Sequence, residues 1–285
     1  MKLALWRDRL LQQEDLNFLL TNRIPRLTLT RLVGWYSRIE SPLLTRFSIA
    51  VWRLFTDLDL SEARQQRFRS LQDCFIRELK PGARPLAAEA DAILSPCDAI
   101  VGACGAVEHQ GQVFQAKGFP YTVGELFGDA ARAAPYRGGQ FVTLRLTSSM
   151  YHRFHAPADL SLEHVTHIAG DTWNVNPIAL KRVERLFCRN ERAAIHARLP
   201  DGRPIALVAV AAILVASLRL HCLNLLLHVD YPGPHELPAQ GEARRGEELG
   251  WFQQGSTIIV FLPPGFELAV QTGQRLRMGE VLARP

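Results

Sequence analysis

The sequence predicts an α+β protein in which a helical N-terminal part precedes a β-rich, barrel- or sandwich-like domain. Three observations carry this. Apolar residues recur at helical spacing through the first eighty positions. After Pro85 the apolar runs shorten and alternate with Gly, Pro, Asn and Asp, the signature of strands and turns. No strand–helix alternation follows, which disfavours a doubly wound parallel sheet. The boundary is placed between a helical, basic region 1–84 and a β-rich region 85–285.

Within the first region, Ser41-Pro42 is a helix start, an N-cap followed by Pro at the first helical position. Behind it Leu43, Leu44, Phe47, Ala50, Val51, Leu54 and Phe55 form one continuous apolar stripe, with Arg46 and Arg53 off it. Leu32, Val33, Tyr36 and Ile39 form a shorter stripe. Phe68, Leu71, Phe75, Ile76 and Leu79 predict a third helix, ended by Lys80-Pro81-Gly82.

In the second region, Gln110-Gly111, Gly138-Gly139, Pro200-Asp201-Gly202 and Pro263-Pro264-Gly265 are turn markers. They separate the candidate strands Phe141–Thr147, Thr166–Ile168, Ala193–Leu199, Pro204–Leu218 (two strands or one bent strand) and Ser256–Leu262. The echo between Arg244–Leu249 and Arg277–Leu282, both R-x-G-E-x-L, suits a small barrel or sandwich.

Charge narrows the function. The chain of 285 residues carries 33 Lys and Arg against 28 Asp and Glu, a net +5, and the whole excess lies within Met1–Arg53. Trp6, Trp35 and Trp52 lie in the same stretch. Basic residues mixed with Trp and Leu predict a surface that meets anionic phospholipid. Nucleic acid is disfavoured, because no recognisable binding motif accompanies the charge. No run has the ~20 apolar residues of a membrane-spanning helix, so a peripheral association is expected. Met1–Arg9 runs into Gln12, Gln13, Glu14 and Asp15 without the apolar stretch of a secretory signal. Five cysteines, an odd number with no C-x-x-C pair, fit a reducing, cytoplasmic side.

Several chemistries find no support. Phosphate-binding glycine loops and H-E-x-x-H are absent, and Ser256 is not within G-x-S-x-G. The two H-x-x-H pairs, His152/His155 and His164/His167, lack a carboxylate at matched spacing, so no metal is expected, and His164 and His167 read as ordinary polar residues of a strand. Three segments stand out: Asp98 in a turn before a strand, His152 and His155 at a strand exit, and Gly255-Ser256 before an apolar strand. Asp, His and Ser are the parts of a nucleophile-activating triad, in which the base takes the hydroxyl proton and the acid orients the base. Gly255 leaves its carbonyl sterically open to attack.

The motifs around these residues resemble the phosphatidylserine decarboxylase family of bacterial, pyruvoyl-dependent type. Phe75–Pro85 is similar to its opening motif, and Ser95-Pro96-Cys97-Asp98 to its S-P-x-D segment. Lys117-Gly118, Tyr121 and Leu126-Phe127-Gly128 follow its K-G-x-x-Y…L-L-G pattern. Tyr151–Pro157 resembles Y-H-R-x-H-x-P, and Asn190-Glu191-Arg192 resembles N-E-R. Gly246–Phe252 with Gly255-Ser256-Thr257 resembles its K-G-x-E-x-G-x-F…G-S-T finish. Departures occur at Ala99, Ala211 and Ala216, where the family usually has glycines, and at Gln254, where it usually has Leu.

The resemblance implies a catalytic domain made by self-cleavage. His155, oriented by Asp98, activates Ser256 to attack the Gly255 carbonyl. The chain divides into 1–255 and 256–285, and a pyruvoyl cofactor forms from Ser256. The two pieces stay together as a heterodimer, with further homodimerisation open. The serine headgroup amine of phosphatidylserine forms an imine with the pyruvoyl group and loses CO2, giving phosphatidylethanolamine. His152 is expected to donate the proton or to contact the headgroup. The expected location is the cytoplasmic face of the cell membrane. Two alternatives stay open: a serine hydrolase using Asp98, His155 and Ser256 without self-cleavage, and a non-catalytic lipid-binding relative, which the four departures motivate.

Overall fold

The computed structural model describes residues 15, 18, 25–115, 119–213, 217–228, 230–253 and 257–285. Trp6, Lys117, Gly118, Ala216, Gln254, Gly255 and Ser256 lie outside the described residues.

Helix α1 (Arg26–Ser37) and helix α2 (Pro42–Phe55) occupy the places of the first two stripes. Ser41 caps α2 through its hydroxyl, which accepts from Leu44 N, and Pro42 follows at the first helical position. The third helix is shorter than its stripe. Helix α3 spans only Leu71–Phe75, because Ser70 caps it by accepting from Asp73 N, leaving Phe68 outside. Leu79 is instead drawn into a bridge with Ala63, flanked by Lys80 N to Glu62 O and Arg64 N to Glu78 O.

The body is built from antiparallel sheets. Across the largest, the strands run Glu236–Ala243, Leu160–Ile168, Arg192–Arg198, Pro204–Val210, Thr257–Leu262, Gln140–Arg145, Ala99–Ala106 and Arg275–Leu276. A smaller sheet runs Leu225–His228, Ser217–Leu220, Glu248–Phe252 and Arg153–His155. The expected barrel is corrected. Among the described residues the large sheet stays open, with Glu236–Ala243 and Arg275–Leu276 at its two edges. The segment expected as Pro204–Leu218 is two strands, one in each sheet.

The central strand of the large sheet, Thr257–Leu262, is buried along its whole length. It pairs with Gln140–Arg145 on one side and Pro204–Val210 on the other. That explains its unbroken apolar run, since a strand covered on both faces has no polar side to present. Phe127, Tyr136 and Phe261 meet edge to face at its far end.

Candidate active site

The chain passes between the large and the small sheet at three places that meet. One crossing runs from Arg145 to Arg153, the second from Val210 to Ser217, and the third from Phe252 to Thr257. The third contains Gly255 and Ser256, and its two anchors are described. Gln253 N donates to Ser217 O, and the Ser217 hydroxyl bonds Gln253 Oε1 at 2.8 Å. Phe252 N donates to His152 O at 3.0 Å. On the other side Thr257 lies opposite Arg145 and Val210. The described residues on either side of Gly255-Ser256 are therefore held by both other crossings, one of which carries His152 and leads to His155.

His155 ends the strand Arg153–His155. Its ring lies 3.0 Å through Nδ1 from the Gly246 carbonyl and 3.0 Å through Nε2 from the Tyr151 hydroxyl. A carbonyl only accepts, so Nδ1 carries the proton and the lone pair stands on Nε2, the arrangement a general base needs. Burial lowers the His155 pKa, opposed in part by the bond to Gly246 and by the charge of Glu248. The base is thus held neutral.

Asp98 is placed differently from the expected triad. Its carboxylate takes a fork from Arg84, with Nε 2.7 Å from Oδ1 and the second contact 2.5 Å from Oδ2, and Oδ1 also accepts from Met278 N at 2.9 Å. No hydrogen bond joins Asp98 to His155. The sequence assigned the orienting role to Asp98; in the structure the Gly246 carbonyl and Tyr151 hold the ring. Asp98 acts on His155 only through its charge, which raises the pKa. The Arg84–Asp98 pair lines a charged cleft of about 450 Å³ that also contains Tyr151.

His152 is completely buried and its two ring nitrogens lack hydrogen-bond partners. Burial, helped by the nearby Arg77 cation, pulls its pKa down to about 3, so it is neutral at physiological pH. The Phe75 ring lies 4.1 Å from it, and Phe75 in turn stacks on Trp52 of α2 at 5.2 Å and 5°. A continuous aromatic column thus joins the N-terminal helices to the candidate site.

His167 lies within the strand Leu160–Ile168, and its partner was not legible in the sequence. It is buried and bonds the equally buried Glu191 at 3.0 Å. Glu191 O also accepts from Ala211 N, while Asn190 Nδ2 donates to Ala211 O. Asn190-Glu191-Arg192 therefore fastens the start of the second crossing, and Arg192 locks the base of this arrangement by bonding four backbone carbonyls. The signal was present in the N-E-R motif, although its partner was not. Ala99, where glycine was usual, is buried at the start of a strand opposite Leu276 and is not among the residues with positive φ, so its methyl group is accommodated without strain.

The family model described as phosphatidylserine decarboxylase matches residues 71–284. A phosphatidylserine decarboxylase proenzyme of Bordetella pertussis strain Tohama I is 37% identical over 276 residues, covering 92% of this chain and 91% of that protein. The proenzyme of the same name from Pseudomonas aeruginosa PAO1 is 36% identical over 278 residues, 92% of this chain and 94% of its own. That of Saccharophagus degradans is 33% identical over 285 residues, 95% and 98%. The class is thus a carboxy-lyase made as a proenzyme, which favours decarboxylation over the serine-hydrolase alternative. The chain belongs to the phosphatidylserine decarboxylase family.

Proposed function

We propose that the protein cuts its own chain between Gly255 and Ser256 and then converts phosphatidylserine to phosphatidylethanolamine and CO2 at a membrane surface. The observation that carries this reading is that Phe252 on one side of Gly255-Ser256 bonds His152, and Thr257 on the other pairs with Arg145 at the start of the same crossing that leads to His155.

In maturation, His155 Nε2 is the base that takes the Ser256 hydroxyl proton, Ser256 Oγ attacks the Gly255 carbonyl, and the peptide C–N bond breaks to give an ester and a free Ser256 amine. β-Elimination then frees the Gly255 carboxylate, and water hydrolyses the resulting enamine, releasing ammonia and leaving the pyruvoyl end. The Gly246 carbonyl keeps the proton on Nδ1. Asp98, held by Arg84, favours the charged imidazole formed on proton transfer. The cut leaves 1–255 and 256–285 associated, because Thr257–Leu262 remains paired on both sides.

The residues fit a pyruvoyl group at the new N-terminus. Thr257 Oγ1, one residue after Ser256, and both His152 ring nitrogens are buried polar atoms without a hydrogen-bond partner among the described residues, the kind of donors and acceptors such a group would engage. Such a group supplies an electron sink for the charge left when CO2 departs. His152, buried, neutral and packed under Phe75, is the group we assign to return a proton to the headgroup carbon.

The substrate is a membrane lipid, and the N-terminal helices suit its surface. Leu27, Leu32 and Trp35 of α1 and Leu43, Phe47, Leu54 and Phe55 of α2 are seven of the nine exposed large apolar side chains among the described residues. Leu43 is 80% and Phe47 66% exposed. Arg46 and Arg53 are exposed beside them and form no ion pair among the described residues. Apolar side chains with flanking cations fit insertion into an anionic leaflet. No helix among the described residues is long and apolar enough to cross a membrane.

The test supplies carboxyl-labelled phosphatidylserine in vesicles to the purified protein. Labelled CO2 is expected from the wild type and none from Ser256→Ala. Release by Ser256→Ala at the wild-type rate would refute the assignment.

A further inference from the structure

Among the described residues Arg145 is a half-buried cation without a counter-ion. Among the described residues it makes no hydrogen bond or ion pair, and burial alone lowers its pKa. The buried arginines nearby are all engaged: Arg77 bonds the Ser149 and Met150 carbonyls, Arg84 bonds Asp98, and Arg153 bonds Glu248. A guanidinium partly withdrawn from water costs free energy unless an anion meets it.

Its position suggests which anion. Arg145 lies directly opposite Thr257, the residue next to Ser256. It lines a cavity of about 320 Å³ with Thr147, Ser148, Asn174, Asn176 and Phe75. Four of these offer hydroxyl or amide groups. The fifth, Phe75, stacks on Trp52 of the helix that also exposes Leu43, Phe47, Leu54 and Phe55. The cavity thus spans from the reacting end of the strand to the helices proposed to meet lipid.

We propose that Arg145 binds the phosphodiester of the phospholipid headgroup and so positions the substrate beside the cleaved end of the chain. This rests on the phosphatidylserine reading above. The headgroup carries a second anion, the serine carboxylate, but pairing it with a cation would stabilise the ground-state charge that decarboxylation must disperse. The phosphodiester keeps its charge throughout, and its oxygens match the planar fork of arginine. Only one methylene separates its ester oxygen from the amine-bearing carbon, in keeping with an anion site one strand away from Thr257.

The experiment uses the mature wild-type protein, Arg145→Gln and Arg145→Lys. Both variants should self-cleave normally on a gel. Arg145→Gln should raise KM for phosphatidylserine at least tenfold and change kcat less than threefold, and Arg145→Lys should recover part of the KM. Two soluble probes separate the anions and remove the membrane. Calorimetric affinity for sn-glycero-3-phosphoethanolamine, which has the phosphodiester and no carboxylate, should fall at least tenfold in Arg145→Gln. Inhibition by L-serine, which has the carboxylate and no phosphate, should be unchanged. Unaltered affinity for the phosphodiester probe, no binding of it by the wild type, or weakened L-serine inhibition would each overturn the proposal. So would failure of the variants to self-cleave, which would place Arg145 in maturation. A wild type that cleaves and binds the probe but releases no CO2 from phosphatidylserine would count against the functional reading and leave the anion site standing.

Discussion

The Nδ1 nitrogen of His155 faces the backbone carbonyl of Gly246 at 3.0 Å, two residues before Glu248, which lies opposite His155 in the small sheet. Gly246 has φ +81°, and a Cβ built there would lie 2.7 Å from Leu86. Gly246→Ala therefore strains the turn that aims this carbonyl. Self-cleavage should slow about tenfold, equivalent to ~1.4 kcal/mol of barrier. A time course of fragment appearance checks this; cleavage at the wild-type rate would show that the carbonyl is not what orients the base.

The two histidines should separate by stage. His155→Ala removes the base and should stop cleavage. His152→Phe preserves volume beside Phe75 and should leave cleavage largely intact while slowing CO2 release at least a hundredfold, in the range of general acid catalysis. Gel mobility reports the first step and labelled CO2 the second. Loss of cleavage in His152→Phe would place both histidines in maturation.

Acid should affect both rate and stability. The His155 pKa is lowered, so its base form persists below pH 6.5, and cleavage should be flat above that pH and fall at more acidic values. His152 has a folded pKa of about 3 against about 6.5 when unfolded. Its neutral form is favoured by the fold, so the stability it contributes is complete above pH 6.5 and drains away as pH falls towards 3. Between pH 7.5 and 4.5 this amounts to about 2–3 kcal/mol. Urea midpoints at the two pH values should therefore differ less in His152→Phe than in the wild type.

Membrane contact should have two separable parts. Sedimentation with anionic vesicles should exceed that with neutral ones and weaken in salt, as Arg46 and Arg53 are screened over a Debye length that falls from ~10 Å at 0.1 M to ~3 Å at 1 M. Phe47→Glu should release the protein even at low salt, because Phe47 is exposed and its loss cannot disturb a core. Retention of this variant on vesicles would mean that another element meets the lipid, or that residues before 25 cover the face.

Local chemistry was legible in the sequence and long-range pairing was not. The cap at Ser41-Pro42, the stripe behind it and the apolar strand before Leu262 each depend on neighbouring residues, and each was readable. The stripe's direction was less so: periodicity shows that Leu43 and Phe47 share a face, not that the face points outward. The partners of the candidate site also escaped. Arg84 reaches Asp98 only because the fold folds that turn back, and Gly246 holds His155 through a backbone atom, which no residue type advertises. Glu191 meets His167 across adjacent strands. Such contacts follow from strand register, which spacing along one chain does not contain.

If the protein makes its own reactive group by cleaving before Ser256, the intact mass of the purified protein reports it. Two chains should copurify without denaturant, residues 1–255 and the 30 residues 256–285, the shorter one blocked by a pyruvoyl group in place of its N-terminal serine. Ser256→Ala should give only the full chain of 32.0 kDa. An uncut wild-type chain that nonetheless releases CO2 from phosphatidylserine, or a short chain that begins with an unmodified serine in the active protein, would contradict it.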